Sequence, residues 1–167
     1  MIKLTGSGQT FTNELYFIGT RANPSGTPIC QGLPTNPLGT YHIQEYTSGN
    51  YVACSSANTN LTATLPSATG AALFNSTFVP NGSNLQLTST GEFVTADNSG
   101  DYALAAIRTV ASTWEHFIIR QKNGAPKGVF SILAASNGLY VTVNSDGWLI
   151  NNGKGEADSA GFYFIGA

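Results

Sequence analysis

The same short pattern occurs three times in this 167-residue chain. It reads glycine, any residue, aromatic residue, valine, and it occurs in "SGNYVACSSANTNLTATL" (48–65), "TGEFVTADNSGDYALAA" (90–106) and "NGLYVTVNSDGWLINNG" (137–153). The glycines that begin the copies are 42 and 47 residues apart: Gly49, Gly91 and Gly138. A repeat of this length is one supersecondary unit that cannot bury its apolar face alone, so the copies must pack together.

Each copy is flanked by short runs that alternate apolar and polar residues or are rich in aromatic residues. The runs that precede the three glycines are at 41–46, 85–89 and 130–135. The runs that follow them are at 74–79, 114–120 and 162–166. Period-two alternation with Gly, Asn and Asp between the runs predicts strands rather than helices. Three units of about four strands predict an all-β chain, a β-trefoil of about twelve strands.

The trefoil is expected to span 41–167, with repeats at about 41–83, 84–127 and 128–167. The aromatic and valine residues of the three copies should occupy threefold-related positions: Tyr51 with Val52, Phe93 with Val94, and Tyr140 with Val141. Because neighbouring residues of a strand point to opposite faces, only one member of each pair should line the barrel core.

The repeat resembles that of the fascin-type β-trefoil family. The resemblance rests on glycine, any residue, aromatic, valine, threonine, Ala/Val, Asp/Asn, and on "WEHF" (114–117), which closes the second unit. It covers roughly 41–167 and departs from the pattern in the first repeat, where Cys54 and Ser55 replace the Ala–Asp pair. The chain would be a single-domain, lectin-like member. The family includes actin-bundling proteins, cytoplasmic trefoils and modules of carbohydrate-active proteins, so the resemblance implies the fold more strongly than the function.

Residues 1–40 lie outside the repeats and should form an N-terminal extension packed on the barrel. Segment 22–40 contains four of the seven prolines, which predicts an extended, irregular arm. A disulfide between Cys30 and Cys54 can pin this arm, and the alternative is two buried thiols that behave as small apolar residues. The arm can instead fold against a partner subunit, which leaves a homodimer open.

Charge is sparse in this sequence. Charged residues make up 10% of the chain, the net charge is −2, and the seven Lys and Arg residues are scattered. No basic face is expected to hold a phosphate backbone, which argues against nucleic acid as a partner, and no apolar run has the length of a membrane span. The first residues contain no signal-peptide core, but sequons at Asn60, Asn75 and Asn81 favour a secreted protein, and a cytoplasmic location stays open.

The residues able to carry chemistry form no recognisable catalytic motif. His42 and His116 have no metal-ligand spacing to Cys, Asp or Glu, and a structural role is the better interpretation of His116. Neither a nucleophile elbow nor a phosphate-binding loop occurs. A glycosidase needs two carboxyl groups at a fixed separation, and the few acidic residues are interpreted as turn residues. We therefore predict a protein that is not an enzyme and that has no metal and no cofactor.

Two turns of the repeats combine carboxylate or amide side chains with an aromatic ring. Their members are, in the third repeat, Asn144, Asp146 and Trp148 and, in the second repeat, Asp97, Asp101 and Tyr102. A ring stacks on the apolar face of a sugar while Asp and Asn bind its hydroxyls, so these sets predict carbohydrate-binding sites. The equivalent segment 55–60 has neither a ring nor a carboxylate, so the first repeat should be silent. The alternative is ordinary hairpin-turn chemistry, with Trp148 as a core residue.

The leading functional prediction is a non-catalytic carbohydrate-binding protein, a lectin or lectin-like module whose partners are glycans, including multivalent ones. The alternatives are an actin-binding or bundling protein of the fascin type and a trefoil-type proteinase inhibitor that uses the 22–40 loop. Bundling usually needs charged patches and several trefoils in series, and no residue of 22–40 indicates a protease specificity. A secreted structural protein without a small ligand is a further alternative.

Overall fold

The computed structural model describes residues 3–5, 8–10, 20–22, 28–30, 37–55, 58–80, 82–97 and 102–167. The chain divides into two compact units, Met1–Thr35 and Asn36–Ala167. The described part of the first unit contains two antiparallel strand pairs, β1 (Lys3–Thr5) with β2 (Gly8–Thr10) and β3 (Thr20–Ala22) with β4 (Pro28–Cys30).

Strand β4 lies within the 22–40 segment that the sequence analysis expected to be irregular. Pro28 is its first residue, a position where the missing N–H of proline is tolerated. The packing of residues 1–40 on the trefoil, a domain boundary at residue 40 and the Cys30–Cys54 disulfide remain predictions.

In the second unit, the described residues form twelve strands in three groups of four. They are β5 (Gly39–Glu45), β6 (Tyr51–Ser55), β7 (Asn58–Leu65) and β8 (Leu73–Val79); β9 (Gly82–Leu87), β10 (Phe93–Thr95), β11 (Ala105–Arg108) and β12 (Phe117–Gln121); and β13 (Phe130–Ala134), β14 (Tyr140–Val143), β15 (Leu149–Gly153) and β16 (Phe162–Gly166). The helices of the described ranges are single 3-10 turns at Thr113–Glu115 and Glu156–Asp158, and neither is long and apolar enough to cross a membrane.

The first and last strands of each repeat close a six-stranded barrel. Antiparallel pairing runs from β5 through β8, β9, β12, β13 and β16 and returns to β5. The closing pair is continuous, from Phe162 opposite Glu45 to Gly166 opposite Tyr41. Closure removes the free strand edges that invite pairing with other chains.

The two middle strands of each repeat form a hairpin, and the three hairpins are β6–β7, β10–β11 and β14–β15. The Leu61 N–H donates to the Leu104 carbonyl, and the Leu104 N–H donates to the Leu149 carbonyl, both at 2.7 Å. All three leucines are buried members of the apolar core. The hairpins therefore meet at a shared apolar centre, and the predicted β-trefoil is confirmed.

The repeat glycines occupy equivalent positions. Gly49, Gly91 and Gly138 have φ values of 72°, 74° and 71°. Each N–H donates to the carbonyl of the residue four positions earlier, at 3.0, 2.8 and 2.9 Å. The three copies of the motif are therefore related by a pseudo-threefold axis, as their spacing predicted.

The valine of each motif, rather than the aromatic residue, lines the core. Val52, Val94 and Val141 are fully buried in the apolar cluster, where each side chain contributes about 1.5–3 kcal/mol by burial. The aromatic residues lie outside that cluster, although Tyr140 is also buried, with the Arg120 guanidinium 5.5 Å from its ring centre. The predicted division between the two faces is confirmed.

Candidate functional site

The hairpin between β14 and β15 turns through residues 144–148. The side-chain oxygen of Asn144 accepts hydrogen bonds from the Asp146 N–H at 3.0 Å and from the Trp148 N–H at 2.9 Å. The Asn144 N–H donates to the Trp148 carbonyl at 3.1 Å. Ordinary turn chemistry therefore accounts for the Asn144 oxygen, whereas the Asp146 side chain is exposed and Trp148 is half-buried.

This turn is seated on strand β7 of the first repeat. The Ala63 N–H donates to the Gly147 carbonyl at 2.7 Å, and Thr62 pairs with Trp148 in an isolated β-bridge. Gly147 has a φ of +84°, and a Cβ atom at this position would lie 2.7 Å from Cγ2 of Thr64. Both the backbone angle and the close approach require glycine, so the turn that carries Asp146 is fixed against the first repeat.

A cleft of about 490 Å³, here called the acidic cleft, lies between this turn and the first repeat. Three carboxylate side chains line it: Glu45, Asp146 and Asp158. Its other polar lining groups are hydroxyls and amides, from Thr47, Ser48, Asn50, Thr64, Thr142, Asn144, Ser145 and Ser159. Among the described residues, its lining includes no Lys, Arg or aromatic side chain. Nor does the described part of the chain hold a group of three or more His, Cys, Asp or Glu arranged for a metal ion.

Glu45 is the buried carboxylate of the acidic cleft, with 5% of its surface exposed. Its two oxygens accept hydrogen bonds from the Thr47 N–H at 2.9 Å and the Ser48 N–H at 2.6 Å. Burial raises the pKa of Glu45, but the hydrogen bonds from Ser48 and Thr47 together favour the charged form more strongly and hold the pKa below its ordinary value of 4.5. Glu45 is therefore an ionised, fixed acceptor at neutral pH.

The segment 155–160 supplies another wall of the acidic cleft and carries Asp158 and Ser159. Lys122, directly after β12, anchors this segment through its ammonium group. Its Nζ donates to the Glu156 carbonyl at 2.6 Å, the Ser159 carbonyl at 3.0 Å and the Ser159 hydroxyl at 2.8 Å. Because hydrogen bonds from a charged donor are stronger than neutral ones, this wall is held in one place.

The Glu156 side chain ties the same segment to the neighbouring strands. It accepts hydrogen bonds from the Asn123 side-chain amide at 2.5 Å and from the Ser131 hydroxyl at 3.0 Å, and the Arg120 guanidinium lies 3.8 Å away. Burial raises the pKa of Glu156, but the hydrogen bonds from Ser131 and Asn123 and the charge of Arg120 lower it by more. The net direction is downward, so ionised Glu156 stabilises the wall.

The predicted set in the second repeat has a different environment. The Arg108 guanidinium donates to Asp97 at 2.7 Å, and the Thr95 hydroxyl donates to the other Asp97 oxygen at 3.2 Å. Tyr102 is 66% exposed, and Asp101 lies outside the described residues. The second repeat therefore presents an exposed ring and an acid that is already ion-paired.

Sequence reasoning missed Glu45 and Asp158. That the first repeat is silent, because of segment 55–60, stays a prediction. The acidic cleft is lined by other residues of that repeat: Glu45, Thr47, Ser48, Asn50, Ala63 and Thr64. A signal for Glu45 was present, because the equivalent positions in the other copies are Leu87 and Ala134, both buried. An ionisable residue where sister repeats bury apolar ones indicates a special role.

Several solved structures share this architecture. SeviL, in a structure bound to asialo-GM1 saccharide, matches with a TM-score of 0.61 and 13% identity, over 78% of this chain and 99% of SeviL. The designed threefold-symmetric protein ThreeFoil matches with a TM-score of 0.63 and 14% identity, over 77% of this chain and 99% of ThreeFoil. A Polyporus squamosus lectin bound to a human-type influenza-binding epitope matches with a TM-score of 0.61 and 15% identity, over 78% of this chain and 49% of the lectin.

These likenesses support a trefoil lectin fold. At such low identity they show the fold alone, and other matching structures are enzymes that act on galactosides, in which the matched region is a minor part of the chain. No protein-family model and no curated protein matches the sequence. Membership of the fascin-type family therefore stays a prediction.

Proposed function

We propose that this protein is a non-catalytic carbohydrate-binding module that holds a neutral saccharide in the acidic cleft. The observation that carries the proposal is that Glu45, Asp146 and Asp158 line one cleft together with many hydroxyl and amide groups. Carboxylates accept hydrogen bonds from sugar hydroxyls, while hydroxyls and amides both donate and accept. The cleft volume lies in the range that holds small ligands. The lectin neighbours with the same fold support the same class of ligand.

The charge of the cleft favours an uncharged sugar. A carboxylate-bearing sugar would face three carboxylates and no Lys or Arg among the described lining residues. Like charges placed together at a binding surface cost several kcal/mol. We therefore expect a neutral glycan to bind at least about tenfold more tightly than its sialylated form.

The aromatic rings of the two predicted sets are proposed as stacking platforms. Trp148 lies on the turn that carries Asp146 but outside the lining of the acidic cleft, so its proposed contact is with a part of the glycan that extends beyond the cleft. Tyr102 is exposed in the second repeat. Asn144 acts as a positioning residue, because its oxygen holds the turn. Asp97 and Asp101 complete a second candidate set, in which Asp97 is the weaker acceptor because Arg108 already donates to it.

The absence of catalysis is part of the proposal and is supported by the state of Glu45. A glycosidase needs one carboxyl group that stays protonated until it donates its proton to the leaving oxygen, and such groups have raised pKa values. The pKa of Glu45 is lowered instead, because two backbone N–H groups stabilise its charged form. The buried carboxylate of this cleft is thus suited to accept hydrogen bonds rather than to protonate a leaving group.

A glycan array followed by calorimetry on the best neutral ligand tests the proposal. Asp146→Asn keeps the side-chain shape and removes the charge, and we expect the affinity to fall about tenfold or more, since a hydrogen bond to a charged group is worth about 1.5–3 kcal/mol. Glu92→Gln makes the same change of charge at a residue outside both candidate sets and outside the cleft lining, so it serves as the control, with an affinity within about twofold of the unmodified protein.

Trp148→Ala and Tyr102→Ala test the proposed stacking. Loss of a stacked ring should weaken binding by about three- to tenfold, which corresponds to roughly 0.5–1.5 kcal/mol. A blank array contradicts the proposed function. A ligand whose affinity is unchanged in Asp146→Asn, Trp148→Ala and Tyr102→Ala contradicts the assignment of the site.

A further inference from the structure

A second cleft, of about 340 Å³, lies where the second repeat meets the third, and we call it the Trp114 cleft. It is lined by Thr113, Trp114, His116, Ala135 and Ser136. These residues come from the segment that precedes β12 and from the turn that follows β13. None of them belongs to the sets assigned above.

The Trp114 cleft is the pseudo-threefold counterpart of the acidic cleft. In the acidic cleft, the turn after β5 is joined to the segment before β16 by a hydrogen bond from the Tyr46 N–H to the Gly161 carbonyl at 2.9 Å. In the Trp114 cleft, the turn after β13 is joined to the segment before β12 by a hydrogen bond from the Ala135 N–H to the His116 carbonyl at 2.9 Å. The Thr88 N–H donates to the Leu73 carbonyl at 2.9 Å in the same way, so the trefoil builds this junction three times with different side chains.

Trp114 is held on a fixed backbone, although its side chain reaches solvent. The residue is 37% exposed, and its carbonyl accepts a hydrogen bond from the Ala96 N–H at 3.0 Å. The next residue, Glu115, is buried, and its carboxylate accepts hydrogen bonds from the Ser112 N–H at 2.7 Å and the Ser112 hydroxyl at 2.9 Å. An exposed ring on a rigid segment gives contact area at a small cost in conformational entropy.

Ser136 lines the same cleft as this ring, and its hydroxyl is buried with no hydrogen-bond partner among the described residues. Buried polar groups in native proteins nearly always have a partner, so this hydroxyl indicates a place where a ligand or water supplies the missing hydrogen bond. Among the described residues, the lining of the Trp114 cleft contains no carboxylate, Lys or Arg, in contrast to the acidic cleft.

We infer that the Trp114 cleft is a second saccharide site, which takes the apolar face of a neutral pyranose on the Trp114 ring. Thr113, His116 and Ser136 line the same cleft and offer hydrogen-bonding groups to the hydroxyls of that sugar. This inference rests on the proposed function and adds a site of a different kind, one based on stacking rather than on carboxylates. Two sites on one chain allow it to bridge neighbouring glycans on a multivalent surface.

The chain contains two tryptophans, and Trp114 lines the Trp114 cleft, so its indole N–H signal reports on that cleft. We would titrate the ¹⁵N-labelled full chain with the methyl glycosides of galactose and glucose. The Trp114 indole signal, assigned with Trp114→Phe, should shift and saturate with its own affinity. The backbone amide of Asp146 follows the acidic cleft in the same spectra.

The variants separate stacking from folding. Trp114→Ala should weaken the second site by about three- to tenfold, the range for loss of a stacking contact, whereas Trp114→Phe keeps a ring and should stay within about threefold. The amide spectrum of each variant shows whether the trefoil is retained. The Asp146 signal should respond to the ligand as before in both variants, because the two clefts share no lining residue.

Each outcome bears on a different statement. A Trp114 signal that stays fixed while the Asp146 amide moves overturns this inference and leaves the proposed function standing. A Trp114 signal that saturates while the Asp146 amide stays fixed supports the inference and overturns the assignment of the acidic cleft. If neither signal moves with either glycoside, the second site and the proposal of neutral pyranose binding are both wrong.

Discussion

Asp97 and Asn144 occupy the same place in their repeats, six residues after the repeat glycine, yet their surroundings differ. Asp97 accepts a hydrogen bond from Arg108 of the returning strand, whereas Asn144 closes a tight turn that presents Asp146 to the acidic cleft. The register explains the difference, because Arg108 lies opposite Phe93 in the second repeat and Gly153 lies opposite Tyr140 in the third. The repeat pattern determines where each turn lies, and the residue on the neighbouring strand determines whether the acid of that turn is ion-paired, as Asp97 is, or available to the cleft, as Asp146 is.

The largest effect is expected when the 155–160 segment, which lines the acidic cleft together with Asp146, loses its anchor. Lys122→Met removes three hydrogen bonds from a charged donor to the 156–159 segment, and we expect the free energy of unfolding to fall by about 3 kcal/mol. Chemical denaturation measures this change, and sugar affinity in the acidic cleft should fall with it. Lys127→Met, at an exposed lysine, is the control and should change stability by less than about 0.5 kcal/mol. Equal effects of the two substitutions would show that the anchor is unimportant.

The next largest loss of stability is expected where the 144–148 turn packs against strand β7, at Gly147. Gly147→Ala adds a methyl group 2.7 Å from Cγ2 of Thr64 and strains a residue at φ +84°, so a loss of about 2 kcal/mol is expected. Gly124→Ala is a matched control, because Gly124 has φ +74° and nothing within 4 Å of the added atom. Its loss should be about 1 kcal/mol, from backbone strain alone. Thermal melting that shifts equally in both variants would rule out the close approach as a cause.

Glu45→Gln tests why the first repeat has a carboxylate where the other two repeats have Leu87 and Ala134. At pH 7 we expect a loss of about 1–2 kcal/mol, because a neutral amide replaces an ionised acceptor of two N–H groups. The folded-state pKa of Glu45 is lowered, so its contribution is present above the ordinary value of 4.5 and disappears as the pH falls from there through the folded pKa. The stability gap between the two proteins, measured by denaturation from pH 7 to pH 3, should therefore narrow below about pH 4.5. A gap that is constant with pH would contradict this role of the charge.

The smallest loss of stability is expected when the ion pair between Arg108 and Asp97 is removed. Arg108→Met removes the ion pair with Asp97 and a longer one, at 4.0 Å, with the buried Glu115, which keeps its hydrogen bonds from Ser112. Arg108 is half exposed, and exposed pairs contribute about 0.2–1 kcal/mol. The loss should shrink further in high salt, which screens exposed charges. Sugar affinity should stay unchanged, since one released carboxylate does not reproduce the acidic cleft. Tighter sugar binding in this variant would show that the carboxylate alone limits binding at the second repeat.

The fold could be predicted from the sequence because its main determinants are local and repeated. Gly49, Gly91 and Gly138 mark equivalent turns, and a valine three residues later reaches the core in each copy. The acidic cleft could be predicted only in part. Asp146 and Asn144 belong to one readable turn, but Glu45 and Asp158 join them from distant parts of the chain through strand pairings that no local pattern encodes. The pairing of Asp97 with Arg108 likewise depends on the cross-strand register.

The closing pair of the barrel has a consequence for how the protein is made. One side of β5 pairs with β16, about 120 residues later in the chain. At a synthesis rate of 5–20 residues per second, that partner leaves the ribosome roughly 6–24 s after β5 does. During this interval the N–H and C=O groups on that side of β5 have no native partner strand. Until its last strand is made, a nascent trefoil therefore carries an unpaired strand edge at which a neighbouring chain can pair.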